Sequence, residues 1–234
     1  MQPVHRSGSR SEVSARLQVR STTVFFLLDE VGGVSVAMPM PEVPLGLDPV
    51  RDYWTAADLD HLPENGIRYE VIGGQIIVNA APKPRHQWLI KWLVRALDAV
   101  LPVEYYCVEG VGVLIGDDEP IPDLIVGRGT IPMDDNGIAA EHVVLAVEVV
   151  SKSTTLTDRK MKPDVYAEAG IPNYWRIEIN PFKGRLPGEE LPVLFAHVLG
   201  ENVGYELTHR VSAGQSVTLH SPFEFTVDPA ALMP

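Results

Sequence analysis

Residues 143–150 have the sequence VVLAVEVV, and this stretch decides the fold. All of its residues except one are apolar, and most of them are β-branched. A nearly continuous apolar run of strand length is typical of a β-strand that is buried on both faces of a sheet. The stretch therefore predicts a central strand, and it puts one carboxylate, Glu148, at or near a buried position.

The segments around this strand show alternating strand and helix patterns. Gly73-Gly74 is the signal of a two-residue hairpin turn between two β-rich stretches. Helices are predicted over residues 56–62, with Thr55 as N-cap, over 85–101, and over about 158–169. Further strands are predicted over 105–108, 111–115, 124–126 and 173–180. This order predicts a mixed α/β or α+β domain around one central sheet.

The two ends of the chain differ in pattern. From Leu191 onward the sequence is β-rich and hairpin-like, which predicts a C-terminal β extension. Residues 1–48 show no such pattern, and we expect a poorly ordered leader, with translation starting at Met38 or Met40. The domain itself is expected to span residues 49–234.

The composition limits the class of protein. The chain of 234 residues carries 19 Lys and Arg against 31 Asp and Glu, a net charge of −12. This charge argues against a protein that coats nucleic acid or anionic membrane, but it allows an enzyme that uses local basic groups. The single cysteine, Cys107, excludes an internal disulfide framework and a cysteine-based zinc cluster. No apolar run approaches the ~20 residues of a membrane span, so we expect a cytoplasmic protein.

Acidic residues stand at the edges of the predicted strands. A buried, unpaired charge is very costly, so Glu148 must be neutralised, paired with a cation or bound to a metal. Asp123 enters a second apolar strand in the same way, and Glu70 lies in the first hairpin. Carboxylates on adjacent central strands can converge, so Asp123 and Glu148 predict an oxygen-rich site suited to Mg²⁺ or Mn²⁺, with Glu70 as a candidate third member. The alternative is that they are strand-end acids that pair with arginine or face solvent.

A basic cluster follows the strand that carries Glu148. The segment 151–162, SKSTTLTDRKMK, contains one acid, Asp158, and four cations: Lys152, Arg159, Lys160 and Lys162. Cations next to a metal site would support a phosphodiester substrate. The alternative is a solvated helix start, although basic residues in a first turn oppose the helix dipole.

The long helix carries a histidine and two tryptophans. His86, near its start, is a candidate phosphate contact or proton shuttle, or else a helix-opening residue bonded to backbone or solvent. Trp88 and Trp92 follow the helical period of the apolar positions, and we expect them in the core rather than as stacking platforms for bases.

Six runs of the sequence are informative through their order. They are RYEVIGGQIIV, APKPRHQWL, PIPDLIVG, LAVEVVSKST, TDRKMKPDVYAEAGIPNYWRIE and FEFTVDP. In this order, from about Trp54 to Asp228, they resemble the Uma-two family of the PD-(D/E)XK nuclease superfamily.

The resemblance implies a restriction-endonuclease-like fold, with a central mixed sheet flanked by helices, and a divalent-metal-dependent phosphodiesterase site. The family's paired acids fall on Asp123 and Glu148, and its acid in the first hairpin falls on Glu70. The superfamily lysine two residues after the second acid is absent, because that position is Val150. Lys162 matches instead the lysine of the family's D-x-x-x-K pattern.

His86 matches a recurrent histidine of the family, whereas other positions depart from its pattern. The departures are Gln75, Lys152, Pro163 and Glu178. None of them removes an expected metal ligand, but Pro163 puts the orientation of Lys162 in question. Lys152 is a second candidate for a phosphate contact.

These observations predict a Mg²⁺-dependent (or Mn²⁺-dependent) endonuclease that hydrolyses nucleic acid, with DNA the foremost substrate. In this hypothesis Asp123, Glu148 and Glu70 bind the metal and Lys162 stabilises the charge that develops on the phosphate. The alternative is a catalytically inactive module of the same fold that binds DNA or protein. A third hypothesis, a dimerisation protein, uses the β-rich C-terminal part as the interface of a homodimer.

Overall fold

The computed structural model describes residues 52–62, 68–79, 81–151, 157–202 and 204–234. The predicted leader, residues 1–48, and the candidate phosphate contact Lys152 lie outside these ranges. The helices are α1 (Ala56–Leu59), α2 (Pro84–Asp98) and α3 (Lys162–Glu168). A π-helical turn, Thr157–Met161, leads directly into α3, and two 3₁₀ turns span Ala140–His142 and Pro229–Leu232.

The strands follow the predicted positions closely. In chain order they are β1 (Arg68–Ile72), β2 (Gln75–Asn79), β3 (Tyr105–Glu109), β4 (Val113–Leu114), β5 (Leu124–Arg128), β6 (Ile138–Ala139), β7 (Val143–Val150), β8 (Asn173–Glu178), β9 (Val193–Leu199), β10 (Tyr205–Ser212), β11 (Val217–Leu219) and β12 (Phe225–Val227).

Six strands form the central sheet, in the order β10-β9-β8-β7-β5-β3. Its pairs are antiparallel except for β7 with β8, which is parallel. A parallel pair needs a crossover connection, and here the π-helical turn and α3 supply it. The prediction of an α+β domain around a central mixed sheet is confirmed.

β7 lies in the interior of this sheet, and both of its faces are covered. On one face, Val147 and Val149 pack into a core cluster with α2 and the β11–β12 hairpin. On the other face, Ala146 packs with Tyr166 of α3 and with Tyr174 of β8. Burial on both faces therefore explains why the run is continuously apolar, as the sequence predicted.

The hairpin that carries Glu70 is attached through its backbone to the segment before β5. Gly73 and Gly74 have φ values of +60° and +75°, the left-handed conformation that a tight two-residue turn between β1 and β2 requires. Val71 and Glu119 exchange two backbone hydrogen bonds, of 3.3 and 2.9 Å. The segment that leads into β5 is thereby held beside β1.

The structure contradicts the core placement of Trp88 and Trp92. The inner face of α2 is formed by Leu89, Leu93 and Leu97, which are buried, whereas Trp88 and Trp92 are 39% and 36% exposed. Their positions lie beside the apolar stripe, so the helix turns both rings outward. Among the described residues, no helix has the length and apolarity needed to cross a membrane.

Candidate active site

A cavity of about 500 Å³ opens where β7 ends, β5 begins and α2 starts. Because β5 and β7 are antiparallel, the start of one strand and the end of the other meet at the same edge of the sheet. The cavity is lined by four carboxylates: Glu70, Asp123, Glu148 and Asp158. Its other charged lining residues are His86, Lys162, Arg68, Lys83 and Arg85.

Asp123 and Glu148 come from neighbouring strands. Leu124 pairs with Val147, so the antiparallel register sets Asp123, one residue before β5, opposite Glu148. The Asp123 Oδ2 atom accepts a 2.7 Å hydrogen bond from the backbone N–H of Val149, which fixes the carboxylate against β7.

Glu70 reaches the cavity from the hairpin and is only 1% exposed. Its Oε1 atom accepts a hydrogen bond from the side-chain amide of Asn79, across the hairpin. Its Oε2 atom accepts a 3.0 Å hydrogen bond from the backbone N–H of Ile121. Both oxygens are thus held by the elements that surround them.

Lys162 directs its ammonium group into this cluster from the first residue of α3. Its Nζ atom lies 3.2 Å from Glu70 Oε2 and 3.2 Å from Glu148 Oε1, and it donates a 2.8 Å hydrogen bond to the carbonyl of Ile121. An ammonium group has three N–H donors, so these three acceptors use all of them. Pro163 occupies an early position of α3, where proline is tolerated, and does not turn Lys162 away from the acids.

The carboxyl of Glu148 is fully enclosed. Its Oε1 atom also accepts a 2.8 Å hydrogen bond from the hydroxyl of Tyr166. Burial raises the pKa of Glu148 well above its usual range; the ammonium of Lys162 opposes this effect, and the carboxylates of Asp158, Asp123 and Glu70 add to it. The cluster therefore favours a bound cation or proton at this position.

The pKa of Lys162 is displaced upward. Burial alone would lower it, but the surrounding carboxylates outweigh burial: Glu148 and Glu70 most, then Asp158, whose Oδ1 atom lies 4.0 Å from the Nζ atom. The ammonium stays charged at any physiological pH. Three carboxylates, Glu70, Glu148 and Asp158, lie within 4.0 Å of this buried ammonium. Asp123 lines the same cavity, which is therefore rich in carboxylate oxygens.

His86 lines the cavity and contacts one of its carboxylates. Its Nε2 atom lies 3.1 Å from Asp123 Oδ2, while its buried Nδ1 atom has no hydrogen-bond partner. Burial lowers the pKa of His86, but the hydrogen bond to Asp123 and the charge of that carboxylate raise it more, so the net shift is upward. The predicted phosphate contact of His86 stays a prediction.

The basic cluster of residues 151–162 is divided among different roles. Arg159 makes two 2.7 Å hydrogen bonds with the buried carboxylate of Glu178, and Lys162 lies among the cavity acids. Lys160 is exposed. Two of the four cations are thus engaged by buried carboxylates rather than presented to a substrate.

Sequence reasoning did not assign three residues that support the cluster: Asn79, Asp158 and Tyr166. A signal was present for two of them, because Asp158, Lys162 and Tyr166 are four residues apart and so share one face of a helix. The cations at the cavity mouth, Arg68, Lys83 and Arg85, are exposed and were also not assigned.

The donor chemistry of the cavity fits Mg²⁺ or Mn²⁺. Within the described residues, no three Asp, Glu, His or Cys side chains form a preassembled metal-binding group. Magnesium, however, keeps several waters and is commonly bound through one or two carboxylates plus phosphate oxygens. The oxygen atoms of Asp123 and Glu148, the other carboxylates of the cavity and its open volume meet these requirements.

Comparisons with known proteins give a family and a fold for this chain. The model of the Uma-two (Uma2) family, described as "Putative restriction endonuclease", matches residues 56–228. The crystal structure of a "putative nuclease" from Anabaena variabilis ATCC 29413 has a TM-score of 0.56 and 19% sequence identity, and the match covers 76% of this chain and 96% of that chain. At this identity the likeness establishes a shared fold. No curated protein matches the sequence.

Proposed function

Because the chain belongs to the Uma-two family, we propose that it is a nuclease that uses Mg²⁺ or Mn²⁺ to hydrolyse phosphodiester bonds in nucleic acid, with DNA as the expected substrate. One observation carries the proposal. Three carboxylates from separate elements, Glu70, Asp123 and Glu148, line one cavity, and cations surround its mouth. A cavity lined by carboxylates suits a metal ion, and exposed cations beside it suit the phosphates of a polyanion.

We assign Asp123 and Glu148, with Glu70, as the metal ligands. These residues would hold the cation, which would supply polarisation of the scissile phosphate and a lower pKa of bound water. The chain itself supplies pre-organisation: backbone N–H groups hold Asp123 and Glu70 in place, so little reorganisation is needed on binding.

Lys162 acts in this proposal mainly as a fixed charge. Its three donors are used by Glu70, Glu148 and Ile121, so a direct bond to phosphate requires it to release one of these acceptors. A compact ammonium at this depth lowers the electrostatic cost of bringing an anionic phosphate next to several carboxylates.

The exposed cations Arg68, Lys83 and Arg85 are assigned to the flanking phosphates. They are local exceptions in a chain of net charge −12, and all three line the cavity. Phosphate contacts of this kind position a nucleic acid without reading its sequence.

The reaction is a hydrolysis without redox change. A water oxygen forms a new bond to phosphorus, the bond from phosphorus to the leaving sugar oxygen breaks, and its electron pair stays on that oxygen. One proton of the water ends on the sugar oxygen and the other passes to solvent, which leaves a phosphomonoester and an alcohol. Besides metal binding, Glu70 has a second candidate role in this proposal, which is to orient the attacking water.

The direct test is a cleavage assay with labelled DNA and RNA in Mg²⁺, Mn²⁺ or EDTA. We expect metal-dependent cleavage by the wild type and a loss of at least about 100-fold in Asp123→Asn. Asp164→Asn is the matched control, because Asp164 is an exposed aspartate of α3 outside the cavity. Calorimetry with Mg²⁺ should show binding to the wild type and the control, and weaker binding to Asp123→Asn.

A second candidate function is a catalytically inactive module of the same fold that binds DNA or protein. The observation in its favour is the ammonium of Lys162 between Glu70 and Glu148, which neutralises these acids in part without a metal. The same assay decides between the two, since absence of both cleavage and metal binding in the wild type would favour the inactive module.

A further inference from the structure

The outer face of α2 presents two neighbouring tryptophan rings to solvent. Trp88 and Trp92 are 39% and 36% exposed, and their ring centroids lie 6.1 Å apart. The inner face of the same helix is already buried against the sheet. Neither ring is therefore needed to fill the core, and exposed aromatic side chains that cluster are a common mark of a binding surface.

Cations lie beside both rings. The Nζ atom of Lys91 is 5.7 Å from the centroid of Trp88, and the Cζ atom of Arg95 is 5.0 Å from the centroid of Trp92. Arg85 precedes Trp88 by three residues and shares its side of the helix. We call Arg85, Trp88, Lys91, Trp92 and Arg95 the α2 strip.

The charge of the α2 strip is opposite to that of the protein as a whole. It contains three cations and no acid, and the single acidic residue of α2 is Asp98, at the end of the helix. The chain has a net charge of −12. A strip of cations and aromatic rings in an acidic protein has the composition of a local binding site for nucleic acid, whose phosphates are anionic and whose bases are flat rings.

The strip leads away from the proposed active site. Arg85 lines the cavity, and Arg95 lies ten residues further along α2, which corresponds to about 15 Å at 1.5 Å per residue. This length accommodates a few nucleotides of an extended strand.

We propose that the α2 strip binds a single-stranded segment of nucleic acid, with bases stacked on Trp88 and Trp92 and phosphates paired with Arg85, Lys91 and Arg95. This inference rests on the proposed nuclease function, and it adds that the substrate is single-stranded near the site. Single-stranded bases offer their faces to aromatic side chains, whereas the bases of a duplex are stacked on one another inside the helix.

A second copy of the chain is the rival occupant. A twofold dimer through this face brings the same patch of both copies together, so the cations of one strip would face those of the other. Such like-charge contact disfavours the dimer and favours a polyanion.

The test measures binding of a fluorescent oligo(dT) of 20 nucleotides, and of a matched duplex, by anisotropy in EDTA, where metal-dependent cleavage is switched off. We expect Trp88→Ala and Trp92→Ala each to weaken single-strand binding by about 5- to 100-fold, and to affect the duplex much less. Leu207→Ala is the matched control, since Leu207 is an exposed apolar residue, 52% exposed, on β10.

The cations are tested through the salt dependence. For single strands the slope of log K against log salt is about −0.7 for each phosphate contact. Lys91→Ala/Arg95→Ala should therefore flatten the slope by about 1.4, whereas Lys183→Ala, at an exposed lysine outside α2, should leave it unchanged.

Three results would overturn the inference: unchanged single-strand binding in Trp88→Ala/Trp92→Ala, equal losses for single strand and duplex, or a wild-type dimer that this double variant converts to a monomer in light scattering. Because the assay contains no metal, it separates the two proposals. A wild type that binds through the strip but cleaves nothing refutes the nuclease alone, and one that cleaves but binds independently of the strip refutes the strip alone.

Discussion

The Nζ atom of Lys162 lies 3.2 Å from Glu148 Oε1, and both residues are almost completely buried. Glu148 is on β7, and Lys162 opens the helix that crosses from β7 to β8. The ion pair thus joins β7 to the start of α3 at the point where the cavity opens. Lys162 therefore matters both for the stability of this unit and for the proposed chemistry.

We predict that Lys162→Ala lowers the free energy of unfolding by about 3–5 kcal/mol, because it leaves buried carboxylates without their cation. Urea unfolding near neutral pH measures the change. Lys160→Ala, at an exposed lysine two residues earlier, is the control and should change stability by less than about 0.5 kcal/mol. A small effect in both variants would mean that the cluster is neutralised by protons and not by Lys162.

The same lysine is predicted to be the one required for cleavage. Lys162→Met keeps most of the side-chain volume but removes the charge, and we expect cleavage to fall by one to three orders of magnitude, the usual effect of losing one electrostatic stabiliser. Lys152→Ala, the rival from the sequence, should keep near-normal activity. Rates of single-turnover cleavage on labelled DNA measure both. Full activity in Lys162→Met would remove this lysine from the mechanism.

Two buried glutamates on neighbouring strands should behave differently when each becomes an amide. Glu148→Gln keeps an acceptor for Tyr166 and Lys162 and removes a costly buried charge, so we expect a change in stability within about 1 kcal/mol or a gain. Cleavage should be lost, because an amide is a poor metal ligand.

Glu178→Gln is the matched comparison. Glu178 is as buried as Glu148, but it accepts two 2.7 Å hydrogen bonds from Arg159 and does not line the cavity. We expect a stability loss of about 2 kcal/mol with cleavage retained. Thermal unfolding and cleavage rates of both variants check the pair; severe unfolding of Glu148→Gln would identify it as a structural ion-pair partner only.

The central strand and its carboxylate were predictable because they depend on local pattern. A run as apolar as VVLAVEVV is typical of a strand in the middle of a sheet. A carboxylate within such a strand needs a cation nearby. The strand is set by residues that lie close in the chain. The role of Lys162 beside the acids was expected from the family's D-x-x-x-K pattern, because local pattern alone does not bring it to Glu70, 92 residues away in the chain.

The features that escaped prediction depend on how distant segments pack. The partners of Arg159 and His86, Glu178 and Asp123, lie 19 and 37 residues away in the chain. Trp88 and Trp92 share the helical period of the core positions, and a period alone does not say which edge of an apolar stripe the sheet covers. Only the packing of α2 on the sheet decides that both rings face outward.

The last prediction concerns pH and Glu119, which lies beside the hairpin of Glu70. Burial raises the pKa of Glu119 from 4.5 to about 7, and the charges of Asp60 and Glu70 add to the effect. Between pH 4.5 and about 7, the carboxyl of Glu119 is therefore protonated in the folded state and ionised in the unfolded state. Unfolding in this range releases a proton. Stability should fall as pH rises from about 4.5 to about 7 and stay lower above that range.

Glu119→Gln cannot lose this proton, so urea midpoints measured from pH 4.5 to 8 should decline less than those of the wild type, with the variant the more stable of the two at pH 8. Glu109→Gln, at an exposed glutamate of β3, is the control and should follow the wild-type profile. If the Glu119→Gln profile has the wild-type slope, the decline belongs to other carboxyls of the cluster, Glu148 first among them, since burial raises its pKa in the same direction.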